Sequence, residues 1–179
     1  MYRLSRLKYV FPLGLFVALF LDGSFSKIFA PLMFSYPYSM SSQLVMLWLV
    51  LSFFLEENIH IPLVWFAVLA GAVADLYYSG ILGLFIFLYP LIILLTRALD
   101  RLLDRNFLNM ILIFFIDLVV FESLNYLAYR IIGVIHQGFG DFLVDSLAPT
   151  LALNLVYFVI FFWPVSRIYH WALSKRRRA

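Results

Sequence analysis

One carboxylate, Asp75, stands in a 36-residue run from Ile61 to Thr96 that holds no other charged side chain. Two further apolar stretches contain acids or amides, one with Asp117, Glu122 and Asn125, the other with Thr150 and Asn154. A carboxylate is costly to hold among hydrocarbon, so each such group marks a functional or structural pivot. Groups of this kind have two uses. They hydrogen-bond across helices as packing glue, or they line a cavity that receives a ligand or a partner's helix. Their spacing does not resemble an active site. His60, His136 and His170 fall at the ends of apolar stretches or between them, away from ligand spacing. There is no Gly-rich phosphate loop, no HExxH, and no serine set beside a base and an orienting acid. With no Cys, disulfides, thiolate metal sites and a cysteine nucleophile are excluded. No catalytic residue, metal or cofactor is expected.

The elements that position these groups follow from composition. The chain is 65% hydrophobic, 20% aromatic and 13% charged. A soluble domain of 179 residues could not hide that much apolar surface, whereas lipid can solvate it. The expected fold is an all-α integral membrane protein, a single polytopic domain over residues 1–179 with six transmembrane helices. The spans are predicted at about 9–25, 40–55, 61–78, 81–97, 107–129 and 143–164, with Ser79-Gly80 as the tight turn between the third and fourth. Basic Arg3 to Lys8 before an apolar core has the layout of a secretory signal and is expected as an uncleaved first span. Six spans place eleven Lys and Arg on one side and only Lys27 and Arg130 on the other, which makes both termini cytoplasmic. Arg97, Arg101, Arg105, Lys175, Arg176, Arg177 and Arg178 are the expected basic anchors at the lipid surface, not a nucleic-acid site. Arg97 to Arg105, with Asp100 and Asp104, are predicted as a salt-bridged extension of the fourth helix and the best cytoplasmic docking surface. Ser26 to Ser42 is expected to lie along the outer surface.

Helical spacing sorts the polar residues onto faces. Ala67 and Gly71, and Ala70 and Ala74, are four apart, with Asp75 one turn beyond Gly71. This small-residue stripe is a close-packing face for another helix of the chain or of a partner. Glu122, Asn125, Tyr126 and Tyr129 share a second face. Asp117 lies about 140° round the helix from Glu122 and is predicted to meet a different neighbour. Thr150 and Asn154 share a third. Asp75 and Glu122 each lie roughly 20 Å from the cytoplasmic start of their helix. Asp75, Glu122, Asn125, Thr150 and Asn154 are therefore expected to meet in one intramembrane cluster below the outer surface.

Two segments resemble the rod-shape-determining MreD family of bacteria. One is Gly71-Ala-Val-Ala-Asp75 followed by Ser79-Gly80-Ile-Leu-Gly83-Leu84; the other is Pro149-Thr150-Leu-Ala-Leu-Asn154 followed by Trp163-Pro164. The resemblance implies a non-enzymatic scaffold of the cell-elongation complex in the bacterial cytoplasmic membrane. Its implied partners are MreC, a class B penicillin-binding transpeptidase, a RodA-type glycosyltransferase and, in rods, MreB. An alternative resemblance is to the six-span substrate-binding subunits of energy-coupling-factor vitamin transporters. There, a pocket built by Asp75, Glu122 and Asn154 would hold a small molecule.

Overall fold

The computed structural model describes residues 7–56 and 61–173. Among the residues singled out above, Arg3, Arg6, His60, Lys175, Arg176, Arg177 and Arg178 lie outside these. The described chain is helical and contains no strand. Its helices are α1 (Leu7–Ile28), α2 (Ala30–Met33), α3 (Leu44–Leu55), α4 (Leu63–Ala74), α5 (Leu84–Asp100), α6 (Phe107–Ile131), α7 (Phe139–Asp141) and α8 (Ala148–Leu173). A π-helical turn at Asp75–Ser79 extends α4, and another at Phe142–Leu147 joins α7 to α8. Leu7–Ile28, Phe107–Ile131 and the continuous stretch Phe139–Ala172 are long and apolar enough to cross a membrane. Leu44–Leu55 and Leu63–Ser79 are shorter apolar helices.

The long helices alternate in direction, so the bundle has two ends. The connectors 28–44, 79–84 and 131–148 meet at one of them, where the Ser39 amide donates to the Asp145 carbonyl and the Tyr129 hydroxyl to the Ser79 carbonyl. At the other end Arg105 lies over the Phe53 ring. Fully buried Phe11, Phe114, Phe121, Phe158 and Tyr169 fill the centre, and Phe85, Tyr89 and Phe121 stack in a trio between α5 and α6. Between lipid-solvated helices such packing matters more than any hydrophobic drive.

Three of the departures from the predicted limits have a clear local reason. The second helix begins at Leu44 and not at Met40, because side chains of other helices capture the backbone of residues 41–45. The last helix continues through Pro164 to Leu173. Beyond the proline, Tyr169 keeps it docked: its ring packs on Trp48 and its hydroxyl lies 2.5 Å from Ser52 Oγ. The fourth helix stops at Asp100 instead of running on to Arg105, since Asn106 caps α6 by accepting the Asn109 amide at 2.8 Å. Arg105 instead folds back onto Asp100 in a bidentate pair, with nitrogen–oxygen distances of 2.9 and 2.7 Å. That pair holds the guanidinium pKa above its ordinary value.

The α4–α5 hairpin packs most closely. Ala67, Ala70 and Ala74 are buried, and a Cβ placed on Gly71 would lie 2.3 Å from the Phe85 carbonyl oxygen. Gly71 thus meets the backbone of α5 of the same chain, and the three alanines beside it are buried within the bundle. Backbone cannot yield as a side-chain tip can, so Gly71→Leu should lower stability by about 1–3 kcal/mol or more. Thermal unfolding of the detergent-purified protein measures this. Gly140→Ala, where a Cβ would meet nothing within 4 Å, is the silent control.

Candidate functional site

Residues 39–43 form a non-helical strap into α3, held by side chains from three other helices. The Asn154 side-chain oxygen accepts the Gln43 amide at 2.9 Å, and its Nδ2 donates to the Ser41 carbonyl at 2.8 Å. Thr150 Oγ1 accepts the Ser41 amide at 3.1 Å. Glu122 Oε1 accepts from Ser41 Oγ and Gln43 Nε2, both at 2.9 Å. Irregular backbone deep in an apolar bundle is tolerable only when its polar groups find partners within the protein. Thr150 and Asn154 on α8, four apart and on one face, provide them.

Asp22 on α1 completes the strap. Its Oδ1 accepts from Ser42 Oγ at 2.6 Å and the Leu44 amide at 2.8 Å, while Oδ2 accepts the Val45 amide at 2.9 Å. The carboxylate therefore caps the N-terminus of α3, where unpaired amides and the helix dipole both favour negative charge.

Asp75 does the same for α5. Oδ1 accepts the Phe85 amide at 2.8 Å and Ser79 Oγ at 3.1 Å; Oδ2 accepts the amides of Gly83 at 2.8 Å and Ile86 at 3.2 Å. Gly83, the N-cap residue, sits at φ 103°, a left-handed conformation that glycine adopts without strain. Asp75 is 1% exposed. The expected five-residue cluster therefore divides. Glu122, Asn125, Thr150 and Asn154 gather around the strap, whereas every hydrogen bond of Asp75 stays within its own hairpin. Similar depth in the bundle did not mean a shared lateral position. Asp117 lies apart from both, 2.7 Å from Thr96 Oγ1 on α5.

Beside the strap is a crevice of about 210 Å³, walled by Ser39, Ser41, Glu122, Asn125 and Tyr129. Tyr126, stacked on Phe142 at a ring separation of 4.2 Å, and Gln137 close its far side. The Tyr126 hydroxyl donates to the Gln137 carbonyl at 2.8 Å and accepts from Arg130 Nη1 at 2.9 Å. At the opposite end of the bundle, Arg97 and Arg101 border a wider recess of about 450 Å³ with Phe53, Glu56 and Asp100.

Sequence reasoning did not single out Asp22, Ser39, Ser41 or Gln43 as site residues. A usable signal was present: an acid near the end of one apolar stretch, followed after a Pro-rich connector by a Ser-Ser-Gln run at the start of the next. Helices of this character, joined at one end by side-chain-satisfied backbone, define a membrane protein whose acids hold structure together. The chain matches the family model for rod shape-determining protein MreD over residues 7–171 and belongs to the MreD family. Comparison with curated proteins and with solved structures finds no match.

The cap geometry sets an order for substitutions at Asp75. Asn keeps one accepting oxygen but in either orientation turns its NH2 group toward at least one backbone amide; Leu removes all four acceptor contacts. Asp75→Asn should destabilise by about 1–3 kcal/mol and Asp75→Leu by more. Thermal midpoints of the two variants measure this, and equal losses would contradict the cap.

Proposed function

We propose that this chain is a six-span, non-enzymatic scaffold of the bacterial cell-elongation complex. It binds MreC and helps to position a class B penicillin-binding transpeptidase and a RodA-type glycosyltransferase for peptidoglycan synthesis along the cell wall, with MreB linked through the complex in rods. The observation that carries this reading is the family match, which spans almost the whole chain and whose family determines rod shape. The internal chemistry agrees with it. Asp22 and Asp75 bind backbone amides, and Thr150 and Asn154 fasten a connector, so these polar groups build a rigid shape suited to presenting surfaces to other membrane proteins. The asymmetry of Lys and Arg supports cytoplasmic termini.

The orientation has a clean test because the chain contains no Cys. A membrane-impermeant maleimide applied to intact spheroplasts should label Tyr36→Cys, at a residue 98% exposed in the connector, and should not label Leu102→Cys, 80% exposed at the other end. The reverse pattern would invert the topology. Partnership is tested by native-membrane co-purification through a C-terminal tag with mass spectrometry. An MreC-type protein with wall synthases is the expected result. Recovery of transporter ATPase subunits would refute the scaffold.

A further inference from the structure

We propose that the crevice beside the strap is a socket for one cationic side chain, a lysine ammonium or an arginine guanidinium, presented by an extracytoplasmic partner protein. The source of the cation rests on the scaffold reading; the chemistry of the socket rests on its walls. Glu122 is only 8% exposed, and Oε1 is engaged by Ser41 and Gln43. Its second oxygen has no hydrogen-bond partner among the described residues, although the residue lines the crevice. One turn along α6, Asn125 Oδ1 is buried without a partner on the same wall. A buried acceptor left unpaired is costly, so Asn125 Oδ1, one turn from the unengaged oxygen of Glu122, calls for a donor.

The remaining walls suit a cation. Tyr129 continues the Glu122–Asn125 face beyond Tyr126, whose ring is already covered by Phe142, and an aromatic ring attracts ammonium and guanidinium groups over its face. The Tyr126 ring already carries the Arg130 guanidinium at 5.9 Å. Size points to a single side chain: about 210 Å³ is below the roughly 300–1,000 Å³ of sites for whole small-molecule ligands. The crevice lies at the end of the bundle that the Lys and Arg distribution places outside the cell.

The test uses the full-length chain in lipid nanodiscs and saturation-transfer NMR. Nα-acetyl-lysine methylamide and Nα-acetyl-arginine methylamide should bind, and neutral Nα-acetyl-norleucine methylamide should not. Glu122→Gln and Asn125→Leu should each weaken cation binding about tenfold. Asn125→Leu removes an acceptor that has no partner, so this variant remains informative if Glu122→Gln fails to fold. Equal binding of norleucine, or unchanged cation binding in Asn125→Leu, overturns the socket. For the source of the cation, p-benzoylphenylalanine at position 137 should cross-link the co-purifying partner in cells. A partner that co-purifies without that cross-link overturns the socket and leaves the scaffold standing. Cation-selective probe binding with no co-purifying partner overturns the scaffold reading and, with it, a partner as the source.

Discussion

The rest of the structure depends on where the first amides of two helices find acceptors. The opening N–H groups of a helix have no partner within it, and inside an apolar bundle water cannot serve. Both α3 and α5 start in such surroundings, and each takes its cap from an element that precedes it in the chain: Asp22 of α1 for α3, and Asp75 of the π-helical turn after α4 for α5. The solution at the other end differs. There α6 carries its own cap, Asn106, whose side chain accepts the amide three residues on. A cap borrowed from another helix does more than satisfy amides, because it fixes the position of one helix relative to another.

Three close approaches make that borrowing possible. Gly71 lets the α4 backbone touch that of α5, which brings Asp75 within reach of the Phe85 and Ile86 amides one turn away. On α1, a Cβ at Gly14 would collide with the Trp48 ring and one at Gly23 with the Tyr78 hydroxyl. The Trp48 indole N–H donates to the Phe11 carbonyl and the Tyr78 hydroxyl to the Leu19 carbonyl. Small residues on one helix and large polar aromatics on the next thus set the spacing at which the aspartates can act.

Much of this was visible in the sequence, and the remainder was hidden for physical reasons. The small-residue stripe ending in Asp75 was legible because helical periodicity puts those residues on one face. The shared face of Glu122, Asn125, Tyr126 and Tyr129 was legible for the same reason, and all four line one crevice. Periodicity gives a face and a depth but not a neighbour, so Asp75 was assigned to the wrong company. The strap was illegible because Ser41 and Gln43 belong to no periodic pattern; their roles come from Thr150, Asn154 and Glu122, more than 75 positions away. Pro164 suggested a helix end, yet packing of Tyr169 beyond it carries the helix onward.

Counting occupied acceptor sites separates the buried acids by role. Asp75 receives four donors and Asp22 three, so neither has an oxygen free to meet another molecule. Asp117 has an oxygen without a partner, but it is fully enclosed between α5 and α6, and nothing outside the bundle reaches it. Glu122 alone among the four combines a fixed orientation with an unoccupied oxygen at a crevice. Ser41 and Gln43 hold one side of its carboxylate, so the other side is aimed without help from any ligand. An acceptor aimed in advance loses little conformational freedom when a donor arrives. The strap that lets α3 begin inside the bundle is therefore also the device that orients Glu122.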